Sequence, residues 1–327
     1  MRMRKLFVIM TVIVGLSATL VAQQAPQYSQ YMLNGFLLNP ATAGSEGYTA
    51  INLTAREQWV GFLDGPSTYA LSFQTRLLQE SHISRKNAVR RKSRSGFRGG
   101  NVGLGGYIFN HTNGAVNRTG LKVAYAYHLE LSEARLSFGL SLMGFQYRID
   151  EDRIELENPD DQLWLGIRQS VFIPDADFGM YYSSERIWGG FSIGQLLESA
   201  LKFGDAGYDR LVMERTYNLM GGYDFQTSNQ DIILSPSAHI KVAGNGKAQA
   251  DITGRVIYDQ SYFGGITYRT GHAIIIMAGI TVDRLAFGYA FDIGLNSIMK
   301  HSYGTHEFTF IAKLGDHTRR LRWLTRY

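Results

Sequence analysis

Along this 327-residue chain, apolar and polar side chains take turns through a series of segments about ten residues long. In residues 67–77, Tyr69, Leu71 and Phe73 fall on one face and Thr68, Ala70, Ser72 and Gln74 on the other. Ala250, Ile252, Gly254, Val256 and Tyr258 likewise oppose Gln249, Asp251, Thr253 and Arg255, and Phe287, Tyr289, Phe291 and Ile293 oppose Gly288, Ala290, Asp292 and Gly294. Side chains of a strand point alternately to its two faces, so this period predicts strands. They fall near 49–58, 67–77, 101–111, 118–131, 134–148, 174–183, 186–195, 213–226, 230–243, 246–258, 259–270, 271–281, 283–294 and 304–314, about fourteen in all. Short turns at Ser228-Asn229, Asp259-Gln260 and Gly271-His272 are of hairpin length, which makes the sheet antiparallel. In water such a sheet hides one face against a second layer, and the sequence offers neither helices nor a second apolar layer. A closed barrel in lipid resolves this. The fold class expected is all-β, an antiparallel transmembrane β-barrel.

The first residues place that barrel. Arg2, Arg4 and Lys5 precede an apolar run from Leu6 to Val14, with small residues before Ala22-Gln23, as in a secretory signal peptide. The run is shorter than the roughly 20 residues a spanning helix needs. A cleaved leader over 1–22 is therefore expected, then an N-terminal segment over 23–48, periplasmic or lumenal, the barrel over 49–314 and a basic tail over 315–327. Export of a barrel points to the bacterial outer membrane. No later stretch is apolar enough to span as a helix, and mean hydropathy is −0.14, so any span is a strand. The absence of cysteine excludes disulfides, thiolate catalysis and Cys-ligated metals. With 36 glycines against 6 prolines and an aromatic content of 13 %, the composition suits strands, tight turns and interfacial aromatic girdles.

The net charge of +5 is modest, but its distribution is uneven. Arg85, Lys86, Arg90, Arg91, Lys92, Arg94 and Arg98 crowd one polar segment without apolar pattern. With both termini on the periplasmic side, the strand count puts the long connections 148–173 and 195–212 outside and the basic segment 78–100 inside. A solvated loop accounts for its charge; the functional alternative is binding of anionic lipid headgroups or an acidic protein partner, with Arg85, Arg90, Arg91 and Arg94 as candidates. Nucleic acid does not suit an exported protein. Residues 148–173 combine acidic side chains with Trp164, Leu165 and Ile167, and read equally as a solvated loop or as one that plugs the lumen or binds an exported protein.

At 27–47 the sequence reads QYSQYMLNGFLLNPATAGSEG, followed by Arg56, Gln58, Trp59 and Gly61, then Gly65 and Pro66. This closely resembles the PorP/SprF family of outer-membrane proteins of the type IX secretion and gliding systems. The family's motifs are Q-x-S-Q-Y-x-x-N, L-N-P-A-x-A-G and R-x-Q-W-x-G leading to G-x-P. Matching positions are Gln27, Ser29, Gln30, Tyr31 and Asn34; Leu38, Asn39, Pro40, Ala41, Ala43 and Gly44; and those just named. Looser similarity continues at Gly103 to Gly105, Ala124 to His128, Tyr268 to Gly271 and Gly304 to Glu307. Two features depart from the family: the long basic segment 78–100, and a tail beyond the last strand carrying Arg319, Arg320, Arg322, Trp323 and Arg326. The resemblance implies a non-enzymatic accessory subunit that helps secrete or anchor adhesin-type cargo and contacts periplasmic and outer-membrane components of the machine. Gln30, Tyr31, Asn34, Asn39, Pro40, Gly44, Arg56, Gln58, Trp59 and Gly61 become the partner-binding candidates, and segment 27–44 is expected to occlude the barrel, either within the lumen or along its periplasmic mouth.

Three motifs suggest other chemistry. Gly190-Phe191-Ser192-Ile193-Gly194 has the letters of a nucleophile elbow, but that device needs a sharp strand-to-helix turn and no amphipathic helix follows. His301, His306 and Glu307 look like a metal trio, yet a strand over 304–314 puts His306 and Glu307 on opposite faces, which favours hydrogen bonding near the rim. Gly244-Asn245-Gly246-Lys247 reads as a hairpin turn rather than a phosphate loop. No catalytic residue, cofactor or metal is expected. Asp251, Arg255, Arg269 and Asp292 are lumenal if the facing assignment holds, because a lipid-facing Arg near the midplane costs ~2–4 kcal/mol. The alternative function is a passive, porin-like solute channel; an outer-membrane hydrolase using Ser192 is a third.

Overall fold

A computed structural model of the chain describes residues 26–77, 101–150, 153, 170–198, 200–202, 210–229, 231–295 and 301–314. The expected leader over 1–22, the basic segment with Arg85, Arg90, Arg91 and Arg94, most of the acidic segment 148–173 and the tail 315–327 lie outside the described residues.

Fourteen strands form the wall: β1 (Thr49–Glu57), β2 (Ser67–Leu77), β3 (Val102–Asn113), β4 (Val116–Glu130), β5 (Ala134–Ile149), β6 (Ser170–Ser184), β7 (Ile187–Gly194), β10 (Thr216–Tyr223), β12 (Ile232–Ala243), β13 (Ala248–Tyr258), β14 (Tyr262–Arg269), β15 (Ala273–Val282), β16 (Leu285–Gly294) and β17 (Thr305–Leu314). Between β7 and β10 a small hairpin, β8 (Ala200–Lys202) and β9 (Arg210–Val212), stands apart from the wall. The two-residue β11 (Phe225–Gln226) pairs with β12 beyond the end of β10. Every wall strand pairs antiparallel with its neighbours in sequence, β10 meets both β7 and β12, and β1 meets β17, so the ring is closed. Closure satisfies the backbone groups that hydrocarbon cannot solvate, which is why only closed sheets and helices cross bilayers. Each strand expected from the alternation is present. No helix among the described residues is long and apolar enough to cross a membrane.

The alternation sorts the faces as expected. Leu71, Ile108, Leu142, Ile252 and Ile266 stand half or more exposed on the outside, while the intervening Ser72, Ser141, Asp251, Thr253 and Thr267 are buried within. Asp251, Arg255, Arg269 and Asp292 all lie on the buried, lumenal side. Among the exposed aromatics, Tyr69, Phe172 and Tyr268 stand near one rim and Tyr182, Tyr258 and Tyr262 near the other, the placement of interfacial girdles, while Phe73, Tyr125 and Phe310 stand further from the strand ends.

The two rims differ. At the end where β1 begins, four of six connections (131–133, 185–186, 259–261 and 283–284) are two or three residues long, and the other two are 78–101 between β2 and β3 and 224–231 between β10 and β12. The opposite rim carries the short turns 114–115, 244–247 and 270–272 and four longer connections, 58–66, 150–169, 195–215 and 295–304. Short periplasmic turns and longer outward loops are the rule in bacterial barrels, which orients the first rim to the periplasm.

Candidate functional site: the lumenal plug and its anchors

Residues 26–48 do not join the wall. They fold through the interior with two 3₁₀ turns, Gly35–Leu37 and Pro40–Thr42. Tyr28 to Gln30 lie against the outward ends of β1, β14, β16 and β17, and Ala43 to Ser45 against the periplasmic ends of β3 to β5. Of the two placements open to it, the segment takes the lumen, and it runs through most of the barrel's height before β1 starts.

Two apolar clusters seat it. Tyr28, Phe36 and Leu37 pack with Tyr107, Phe109 and Phe145, the Phe36 ring standing edge-on to Tyr107 at 5.9 Å. Tyr31, Met32 and Leu33 pack with Met220, Ile275, Met277 and Ile311. Each such side chain contributes about 1.5–3 kcal/mol when fully buried. Fixing a backbone residue costs about 1–2 kcal/mol, and the intervening Ser29, Gln30, Asn34 and Asn39 bring little apolar surface. Polar anchoring is therefore required along their stretch.

The densest anchoring lies in the outward half. Arg56 donates to Asp292 at 2.7 Å, to Glu307 at 3.0 Å and to the Ser29 hydroxyl at 2.7 Å. Glu307 accepts the backbone N–H groups of Ser29 at 2.7 Å and Gln30 at 2.8 Å, one on each carboxylate oxygen. The Ser29 hydroxyl also lies within 2.9 Å of both Asp292 oxygens. Arg269 holds Asp251 through a fork of 2.9 and 3.0 Å, reaches Asp292 at 3.5 Å and donates to the Tyr28 carbonyl at 3.2 Å. Two guanidinium groups and three carboxylates, all buried, thus form a network with the plug backbone inside it. A buried carboxylate is costly unless paired and hydrogen-bonded, and here each is both.

Further down, the Tyr31 hydroxyl meets Ser237 at 3.0 Å and the Asn34 amide donates to Ser72 at 3.1 Å. Asn39 caps the second 3₁₀ turn by accepting the Ala41 N–H at 2.9 Å and donates its amide to the carbonyls of Met180 at 2.9 Å and Phe191 at 3.3 Å. Pro40 suits the first position of that turn, which needs no N–H. At the periplasmic end His128 meets the Ala43 carbonyl at 2.9 Å, and Arg135 donates to the Ser45 carbonyl while holding Glu130 at 2.7 Å. Gly44 turns the chain with φ +65°, a left-handed conformation that favours glycine.

The wall is hollowed to receive this segment. A Cβ at Gly179 would stand 2.0 Å from the Asn39 side-chain oxygen, one at Gly103 1.9 Å from the Ala43 carbonyl oxygen, and ones at Gly139 and Gly288 2.3 Å from Ala41 N and the Gln30 amide oxygen. All four glycines are on the lumenal face of their strands.

The candidates from the sequence therefore divide. Gln30, Tyr31, Asn34, Asn39, Pro40 and Gly44 form the plug, and Arg56 is its principal wall anchor. Gln58, Trp59 and Gly61 instead shape the outward β1–β2 turn: the Trp59 N–H donates to the Thr305 hydroxyl at 3.2 Å, the Val60 N–H donates to the Gly304 carbonyl at 2.9 Å while the Val60 carbonyl accepts the Tyr303 N–H at 2.7 Å, and Gly61 faces the Tyr303 ring. Ser192 is buried on the lumenal side and donates to the Leu38 carbonyl at 2.7 Å, another plug anchor. His306 pairs with Tyr289 at 2.7 Å while Glu307 points inward, so the two diverge as their alternation requires. Residues 244–247 form the β12–β13 turn, closed by the Ala243 N–H on Lys247 O at 2.9 Å. Arg135 and the lumenal glycines 139 and 179 were not among the candidates from the sequence, while His128 stood there only as the end of the loosely similar segment 124–128 and Gly288 only as a position opposite Phe287; a glycine recurring at inward positions of amphipathic strands is the signal that marks the glycines.

This is an outer-membrane β-barrel whose lumen is filled by its own N-terminal segment. Residues 20–311 match the family described as type IX secretion system membrane protein PorP/SprF, and the chain belongs to that family. No curated protein sequence matches it significantly. Among solved structures it is similar to the P. putida toluene transporter TodX (8 % identity, 87 % of this chain and 95 % of that one, TM-score 0.43). It is also similar to BamA from Haemophilus ducreyi lacking POTRA domains 1–3 (8 %, 82 % and 70 %, 0.39) and to the KdgM porin in complex with oligogalacturonate (10 %, 82 % and 99 %, 0.36). Likenesses this distant say nothing of ligand or partner.

Proposed function

We propose that this barrel is a non-enzymatic accessory component of the type IX secretion and gliding apparatus, which helps secrete or anchor adhesin-type surface proteins and contacts periplasmic components of the machine. The observation that carries the reading is the plug. A lumen occupied from residue 26 to residue 48 and locked by Arg56, Asp292 and Glu307 is not a conduit for polypeptide, so the protein acts through the surfaces it displays. Family membership supplies the machine; the basic connection 78–100, on the periplasmic rim by strand count, is the natural contact for an acidic partner there. Deleting the gene and comparing surface proteins, together with pull-down of periplasmic partners, tests the reading. Loss of particular surface proteins and recovery of machine components are expected; unchanged export with no component recovered would refute it.

A passive solute channel is the second reading, supported by the small lumenal side chains Ala70, Ser72, Ala124 and Ser141. It requires the plug to leave. Single-channel recording separates the two: the accessory role predicts no large steady conductance, and a porin-like open pore would favour the channel.

A further inference from the structure

The wall is uneven in height. β4, β5 and β6 run for 15, 16 and 15 residues, against 8 to 12 for the other wall strands, and the outer face of this tall stretch changes character near its outward end. On β4 the outer positions, from the periplasmic end, are Leu129, Tyr127, Tyr125, Val123 and Leu121, then Thr119 and Asn117. On β5, Leu140, Leu142 and Gly144 give way to Gln146 and Arg148. The change falls at one level because the register aligns it. Asn110, Thr119, Gln146 and Phe172 are paired in one row across β3 to β6, and Thr112, Asn117, Arg148 and Ser170 in the next. The apolar run on β4 covers roughly 26 Å along the strand, or about 20 Å of membrane height at a tilt of about 40°, within an apolar band about 25 Å tall. The first row therefore stands at the edge of the hydrocarbon, and the second, about 5 Å higher, lies beyond it. At that level the outer face of a strand looks sideways into the headgroup layer of the outer leaflet.

The rows are ordered by their own hydrogen bonds. Asn110 donates to the Thr119 hydroxyl at 2.7 Å and to the Asn117 side-chain oxygen at 3.3 Å; Thr119 donates to that same oxygen at 3.1 Å, and the Asn117 amide donates to Thr112 at 3.0 Å. Gln146 donates to Ser170 at 2.6 Å. Phe172 lays its ring over Gly144, where a Cβ would stand 2.5 Å from the ring, and remains 69 % exposed. Arg148 supplies the one formal charge of the two rows; it is exposed and in no ion pair among the described residues. Fixed amides and hydroxyls suit sugar hydroxyls, an open aromatic face suits the C–H face of a sugar ring, and an exposed guanidinium suits a phosphate.

We propose that the outer surface of β3 to β6 at the outward rim binds the phosphorylated saccharide headgroup of an outer-leaflet glycolipid. The acyl chains lie along Leu121, Val123, Leu140 and Leu142, the sugars on the amide rows and Phe172, and a phosphate on Arg148. The apolar wall runs into the polar rows without a break, which favours a lipid over a soluble glycan, and the charge of Arg148 favours an anionic headgroup over a neutral one. The inference rests on the orientation of the barrel and not on its part in secretion.

The test uses the full chain purified in detergent, with bound lipid counted by native mass spectrometry. The probes are a lipopolysaccharide truncated to lipid A and its inner-core sugars, the same molecule after deacylation, and phosphatidylglycerol, which is anionic but carries no sugar. A preference of at least tenfold for the glycolipid over phosphatidylglycerol is expected. Arg148→Gln and Phe172→Ala should each lower that preference about threefold or more, while Tyr268→Ala, an exposed aromatic at the same rim on β14, should leave it unchanged. A preference below tenfold, or one unaltered in folded Arg148→Gln and Phe172→Ala, would overturn the assignment. Binding of the deacylated oligosaccharide as tightly as the glycolipid would make the ligand a soluble glycan and would also overturn it. The lipid comparison on the unsubstituted protein decides the matter even where a variant does not fold.

Discussion

Arg56 and Glu307 face each other across the seam between the first and last strands, paired in register and joined at 3.0 Å inside the lumen. The contact that closes the ring also holds the plug, because Glu307 takes the N–H groups of Ser29 and Gln30 as well. Arg56→Met leaves Asp292 and Glu307 buried without this cation, a change that costs about 3–5 kcal/mol when a buried pair is broken. Urea unfolding in detergent, followed by tryptophan fluorescence, measures it. Combining Arg56→Met with Glu307→Gln should cost less than the sum of the two single substitutions, since the second relieves the uncompensated charge left by the first.

The glycine cradle gives a second test. Gly179→Ala puts a methyl group 2.0 Å from the Asn39 oxygen, so the plug must shift; a loss of about 1–3 kcal/mol is expected, as for overpacked cores. Gly254→Ala is the control, an exposed strand position with nothing within 4 Å of the added carbon, and should change stability by less than about 0.5 kcal/mol. Thermal denaturation of the two variants side by side checks the contrast.

Leu53 sits midway along β1 on the outer face, 46 % exposed, opposite Leu71 and Phe310. If that face meets hydrocarbon, Leu53→Arg costs ~2–4 kcal/mol near the midplane. Folding into lipid vesicles measures it. The same variant would be close to neutral were the face in water.

How much of this was written in the sequence follows from period. All fourteen wall strands were legible because a strand between lipid and lumen repeats every two residues, as at Tyr69, Leu71 and Phe73 against Ser72 and Gln74. The facing of Asp251, Arg255, Arg269 and Asp292 followed from the same alternation, but not their convergence. Asp292 and Arg56 are 236 positions apart and meet only when the ring closes. The plug has no period, being two short 3₁₀ turns held by side chains, so only its motif set it apart and the choice between lumen and periplasmic mouth stayed open. Gln58, Trp59 and Gly61 share a motif with Arg56 yet lie beyond the strand end, where the alternation stops.

The most direct measurement on the central claim, that residues 26–48 occupy the lumen, uses the chain's lack of cysteine. Asn34 and Ser72 touch at 3.1 Å inside the barrel, whereas Leu71 faces outward. In outer membranes, the double variant Asn34→Cys with Ser72→Cys should join through a short thiol cross-linker, and Asn34→Cys with Leu71→Cys should not. Cross-linking of neither pair, or of both equally, would contradict a plugged lumen.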